Sequence, residues 1–329
     1  FKKSDIKVNS FGDISHLQTL IFSKVENICP FELLKNLHPS PAVCGYPKNA
    51  ALDWINTLES FPRGNYASPM GWVDTSGNAS FFGELITKSR ITQGFASEVR
   101  GIHGGGTGHS TGNSNSNHIE YVTMASSGNS IDFGDLTEEG IARAGASSST
   151  RGLFFGGYNP ALSPKHRPLL DYIEIATLGN ALDFGDSYLA YDPQGCSSPI
   201  RAIFSGGQSP SANESKIEFV TIASKGNSIS FGNLIQGVYG AASASNSTRG
   251  IVAGGYYAPS QTTHINDITI ASEGNALHFG DLEIKRRSTS AVSNGSRVCI
   301  AGGIDSGKIN SIEFITISSS GNGQDFGDL

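Results

Sequence analysis

The chain has 329 residues, of which 41 are glycine and only 16% are charged, and its formal net charge is −6. Low charge density excludes a coiled coil and argues against a charged disordered chain, and glycine without a three-residue period excludes collagen. An acidic balance argues against nucleic acid as a partner. No apolar run approaches the ~18 residues of a membrane span, and Cys29, Cys44, Cys196 and Cys299 form neither a CxxC pair nor a disulfide framework. The chain opens on Phe1 with no Met and no signal peptide, which reads as a start inside a longer frame; nothing assigns a compartment.

In chain order, the first 81 residues differ from the rest. They carry seven basic and seven acidic side chains and both tryptophans, Trp54 and Trp72, so the whole negative charge lies after Phe81. Helical spacing occurs only here. Ala51, Trp54, Ile55 and Leu58 share one face, with Pro47 suited to the helix start, and Phe31, Leu33, Leu34 and Leu37 predict a second short helix.

Two motifs flank the first of these helices. One is Leu37-His38-Pro39-Ser40-Pro41-Ala42-Val43-Cys44-Gly45-Tyr46-Pro47; the other runs from Glu59 through Arg63-Gly64-Asn65-Tyr66-Ala67-Ser68-Pro69 to Trp72 and Asp74. From about His16 to Ser80 this stretch resembles the chorismate-utilising enzymes, isochorismate synthases in particular. The resemblance implies part of an α/β chorismate-binding fold and Mg²⁺-dependent exchange of a ring hydroxyl. It places His38 and Gly45 near the substrate pocket and makes Tyr66 a neutral hydroxyl donor to a substrate carboxylate. Three departures count against activity in the chain as it stands. Ser68 replaces a glycine, and the strand with a carboxylate-gripping Arg and the Glu-bearing metal helix do not follow Phe81. The upstream part with the Lys base and first metal Glu is also missing. A metal-dependent elimination needs that charge clamp, so no catalytic residue and no cofactor are assigned; Mg²⁺ enters only if the enzyme reading holds.

After residue 81 the chain repeats. Phe82-Gly83-Glu84-Leu85 returns as Phe133-Gly134-Asp135-Leu136, Phe184-Gly185-Asp186-Ser187, Phe231-Gly232-Asn233-Leu234, Phe279-Gly280-Asp281-Leu282 and Phe326-Gly327-Asp328-Leu329. In phase with it run Arg100, Arg151, Arg201, Arg249 and Arg297, most followed by a short apolar run and Gly-Gly. An alternating run such as Ile217 to Ile222, then Gly226-Asn227, completes the unit. Counted from each tetrapeptide, the units are 82–132, 133–183, 184–230, 231–278 and 279–329. Each holds four strand-length pieces; in the second they are Ile141–Ala146, Gly152–Phe155, Tyr172–Ala176 and Ala181–Phe184. Four short strands in roughly 50 residues is the spacing of a propeller blade. The Gly-Gly after an apolar run, with Tyr158 and Tyr256 following, resembles the kelch repeat, and the wording resembles kelch-like repeats of phage and environmental sequences. That resemblance implies a propeller and no particular ligand.

The expected fold is mainly β: a β-propeller of about five kelch-like four-stranded blades behind an incomplete α/β fragment. The repeated arginines and Asp135, Asp186, Asp281 and Asp328 read as structural, joined as ion pairs within or between blades. Ligand contacts are expected in the variable loops His103–His118, Asn159–Leu169, Gln208–Ser215 and Ala258–His264. His103, His109 and His118 lack the tight spacing of a metal site, so no metal ligand is assigned. Asn213, Asn246 and Asn294 open glycosylation tripeptides. The leading function is a non-enzymatic binding module for a protein or a glycan; the alternative is an isochorismate synthase-type enzyme whose catalytic remainder lies elsewhere. No clustered acid, base or nucleophile supports a propeller enzyme. Residues 75–85 fit both the enzyme motif and the repeat ending, so a crossover at a shared motif, or one strand handed from fragment to blade, would account for the junction; the crossover is the favoured reading.

Overall fold

The computed structural model describes residues 82–86, 89–108 and 115–329, together with four short strands between residues 2 and 22. The chain divides into two compact units, Phe1–Gly71 and Trp72–Leu329. In the first, Lys7–Phe11 and Ile14–Gln18 pair antiparallel, and Lys2–Lys3 pairs with Ile21–Phe22. Both predicted helices lie outside the described residues.

The second unit is a five-bladed propeller-like array of four-stranded antiparallel sheets. The second blade shows the plan: Ala144–Ser147, Arg151–Phe155, Leu169–Glu174 and Leu182–Asp186, hydrogen-bonded in chain order. These fall within a few residues of the expected strands. Its neighbours begin with Gln93–Ala96, Gln194–Ser197, Ala242–Ser245 and Ser290–Ser293. The tetrapeptide forms the fourth strand, so it closes a sheet rather than opening one.

Four apolar clusters fill the four junctions between successive blades. The one between blades two and three joins Leu153, Phe155, Tyr172 and Phe184 to Phe204, Val220 and Ile222, with Phe155 and Phe204 stacked at 4.2 Å. The equivalents are Ile102 with Phe133 and Phe154, Ile203 with Phe231 and Val252, and Ile251 with Phe279 and Ile300. Burial of a whole Phe or Ile side chain contributes on the order of 2 kcal/mol, so these clusters carry the array.

The tetrapeptide also clasps the next blade. Phe184 O accepts from Gly226 N at 2.9 Å, Asp186 O from Ser228 N at 2.9 Å, and Asp186 N donates to Asn227 Oδ1 at 2.9 Å. This explains the glycine: a Cβ on Gly185 would lie 2.5 Å from Gly226 O. A β-bulge in every blade, between Asp132 and Gly134 in the first, brings the strand to this position. Phe82-Gly83-Glu84 makes the same clasp on Gly128-Asn129, with Gly128 N to Phe82 O at 3.0 Å and Glu84 N to Asn129 Oδ1 at 3.0 Å. Phe82–Glu84, the described part of the stretch that the sequence reads both ways, is thus an outer clasp of the first blade.

Candidate functional site on the loop face

The repeat arginines do not meet the tetrapeptide aspartates. Each of the first four donates through Nη1 to a carbonyl of the following blade: Arg100 to Ile175, Arg151 to Ile222, Arg201 to Ile270 and Arg249 to Ile317, at 2.6, 2.9, 3.2 and 2.9 Å. Arg100, Arg151, Arg201 and Arg297 lie over Tyr121, Tyr172, Phe219 and Phe314 at 4.5–4.7 Å. In the fourth blade Asp267 takes the place of the aromatic ring and faces Arg249 at 3.5 Å. The expected Arg–Asp pair fails because the two residues lie at opposite ends of the blade: Arg151 is opposite Glu174 at the end of the third strand, and Asp186 is opposite Leu169 at its start. There Asp135 meets His118 at 3.2 Å and Asp281 meets His264 at 3.3 Å. Asp186 and Asp328 join no ion pair among the described residues.

A different polar position, acidic in most blades, serves the junctions. Glu120, Asp171, Asn266 and Glu313 share one position in the third strand and accept from backbone N–H groups of the preceding loop, as Asp171 does from Thr137 and Glu313 from Glu283. Arg143 lies 3.6 Å from Asp171 with both side chains buried, and buried Arg286 binds Glu313, Ser311 and the Gly302 carbonyl. Burial lowers the Arg143 pKa and the Asp171 charge opposes that; burial raises Asp171, which Arg143 and the Thr137 hydrogen bonds oppose.

What the junctions leave over collects around the axis. The first strands of all five blades line a cavity of about 270 Å³ whose walls include Gln93, Gln194, Ser243 and Ser290. Just before each of these strands stands a residue in the left-handed region: Ile91, Ala142, Asp192, Gly240 and Ser288, with φ of 51–65°. They are chained by hydrogen bonds from Ala142 N to Ile91 O, Asp192 N to Ala142 O, Gly240 N to Asp192 O and Ser288 N to Gly240 O.

Beside this chain lies a row of half-buried tyrosines. Tyr158, Tyr191, Tyr239 and Tyr256 follow one another with ring centroids 5.7, 6.2 and 5.4 Å apart, His166 stands against Tyr158 at 5.3 Å, and Arg287 lies over Tyr256 at 5.7 Å. Burial pushes the Asp192 carboxyl up to about 6, against the pull of the Arg287 charge. Burial also raises the Tyr191 phenol, with Asp192 adding to it, so that hydroxyl is a donor at neutral pH. The face therefore offers aromatic surfaces, phenolic donors, a guanidinium and a carboxyl that titrates near neutrality.

Tyr158 and Tyr256 were visible in the sequence after their glycine pairs. Tyr191 and Tyr239 were missed, although each precedes a repeat arginine by ten residues, Arg201 and Arg249 respectively. Asn246 and Asn294, read as glycosylation positions, cap tight turns by accepting from Thr248 and Arg249 and from Ser296 and Arg297. His103 faces Glu120 and His118 faces Asp135, so these two histidines do not converge, and His109 lies outside the described residues. Cys196 is buried and its thiol is pushed up to about 12, which makes it inert. His264, His278 and Asp281 do bring three ligand atoms within 4.8 Å of one another.

His38, Gly45 and Tyr66 lie outside the described residues, so the chorismate reading rests on comparison. The family described as chorismate binding enzyme matches residues 2–85. Over 69 residues the chain is 46% identical to the salicylate biosynthesis isochorismate synthase of Pseudomonas aeruginosa, covering 21% of this chain and 14% of that protein. It is 34% identical over 93 residues to the vibriobactin-specific isochorismate synthase of Vibrio cholerae, covering 28% and 22%. It is 41% identical over 69 residues to an isochorismate synthase of Bacillus subtilis, covering 21% and 15%. The chain thus spans 14 to 22% of the length of these relatives. The N-terminal segment is similar to part of these synthases, and the match runs on through Phe82–Leu85. Beyond that point the described chain enters blade strands.

Proposed function

We propose that the chain acts through its propeller as a kelch-like, non-enzymatic binding module, and that the N-terminal segment is a truncated chorismate-binding part without turnover of its own. The observation that carries this reading is the tyrosine row beside the axis. Aromatic rings with adjacent donors, a guanidinium and a carboxyl suit a glycan, whose apolar ring faces stack while its hydroxyls take hydrogen bonds. A protein segment is the other ligand class such a loop face accommodates. The test is a glycan array probed with the full chain, repeated with Tyr239→Ala and Tyr256→Ala. Binding that falls about tenfold or more in each variant, as loss of an aromatic platform worth about 1.5 kcal/mol implies, supports the reading. Binding unchanged in both variants, or none on the array, refutes the glycan assignment.

The alternative is an isochorismate synthase-type enzyme that uses Mg²⁺ and whose catalytic remainder lies outside this chain. The family match over residues 2–85 favours it. Incubation of the chain with chorismate and Mg²⁺ is expected to yield no isochorismate; sustained formation, lost in Tyr66→Phe, would establish the alternative.

A further inference from the structure

We propose that the outer edge of the fourth blade binds a divalent transition metal of the zinc class through His264, His278 and Asp281. His264 opens the third strand, His264–Thr269, and His278 and Asp281 lie on the fourth, Leu277–Asp281. The strands pair antiparallel with His264 opposite Asp281 and a β-bulge beyond it, which swings His278 to the same side. His264 Nδ1 lies 3.3 Å from Asp281 Oδ1, and His278 Nε2 lies 3.4 Å from Asp281 Oδ2.

Each histidine faces a different oxygen of the Asp281 carboxylate, and one ligand atom from each of the three residues lies within 4.8 Å of the others. With metal–nitrogen and metal–oxygen bonds of about 2.0–2.2 Å, tetrahedral ligand atoms stand about 3.3–3.5 Å apart. Two imidazoles and one carboxylate are a donor set that suits zinc, nickel or copper better than magnesium or calcium. His264 Nδ1 is shielded from solvent and, beside its contact with Asp281, makes no hydrogen bond, so it points into the cluster. The carboxylate is held from behind: Thr263 Oγ1 donates to Asp281 Oδ1 at 2.9 Å, and the Asp281 backbone is fixed by Asn322 Oδ1 at 3.1 Å. Such outer hydrogen bonds orient ligands and strengthen binding.

The repeat supplies internal controls. At the three equivalent positions the second blade has Leu169, Asp183 and Asp186, the third Lys216, Ser230 and Asn233, and the fifth Ser311, Asp325 and Asp328. The first blade keeps the His118–Asp135 contact but has Asp132 where the fourth has His278. Among the described residues the fourth blade is where three ligand atoms converge. All three side chains are partly open to solvent, so water or an external ligand completes the coordination.

The test is calorimetric titration of the full chain with Zn²⁺, alongside Co²⁺ absorption as a report on geometry. One Zn²⁺ per chain is expected at this site. His264→Ala and His278→Ala should each weaken it by more than about 100-fold, and Thr263→Val by about tenfold. His118→Ala should leave it unchanged. Thermal unfolding without metal should be the same in all variants, since these side chains lie at a surface edge, while Zn²⁺ should raise the midpoint only where the site is intact. No binding, binding that survives both histidine variants, or binding lost in His118→Ala would overturn the assignment.

Discussion

The four junctions between blades and the outward side of the fifth blade carry the same motif residues in different surroundings. The tetrapeptide phenylalanines Phe133, Phe184, Phe231 and Phe279 are 2–5% exposed, whereas Phe326 is 39% exposed. Arg100, Arg151, Arg201 and Arg249 each reach a carbonyl of the next blade, whereas Arg297 is exposed and reaches none among the described residues. Val292 and Leu329 are exposed on the same blade. A repeat residue therefore owes its stabilising role to the neighbour it meets, and identical motifs differ in energetic weight according to whether another blade packs against them among the described residues.

Perturbations of the buried groups should show this most strongly. Glu313→Leu leaves the Arg286 guanidinium buried without its carboxylate, and chemical denaturation should show a loss of about 3–5 kcal/mol. Adding Arg286→Met to that variant should restore most of the loss, because the uncompensated charge then disappears. Phe231→Ala empties a packed junction and should cost about 3–5 kcal/mol, while Phe326→Ala should cost under about 1 kcal/mol. Comparable losses at the two phenylalanines would break the comparison.

A smaller effect is expected at Asp192. Its pKa is raised above the ordinary carboxyl value to about 6, so the folded chain holds this proton more tightly than the unfolded chain. The favourable contribution is full below about pH 4 and is lost as pH rises through 6. Asp192→Asn should remove that slope from the stability profile and raise stability at pH 7 by on the order of 3 kcal/mol. Parallel denaturation series from pH 4 to 7 would check it; a variant whose profile keeps the wild-type slope contradicts the assignment.

Much of the propeller was legible because its markers recur in phase. The tetrapeptide, the arginine and the glycine pair each mark a fixed place in a blade, and the fivefold count and four strands per unit follow from them. Their partners were not legible. Pairing Arg with Asp assumed that opposite charges in one repeat meet, but the strand register puts them at opposite ends of the blade, and the arginine's acceptor is a backbone carbonyl some 70 residues on. The tyrosine row was half visible because two of its members adjoin Gly-Gly; Tyr191 and Tyr239 come from the preceding linkers, which the motif count passed over. The His264–His278–Asp281 group was hidden for a related reason. It departs from the repeat, and a reading tuned to what recurs passes over what occurs once.

The most direct measurement is urea denaturation of Arg201→Met and Arg297→Met side by side. Arg201 holds an inter-blade hydrogen bond and a ring contact, and Arg297 holds a ring contact. If the repeat arginines act as staples between blades, Arg201→Met should lose about 1–2 kcal/mol, and Arg297→Met should stay within about 0.5 kcal/mol of the parent. Equal losses in the two variants would contradict that account and place the arginine's role inside its own blade.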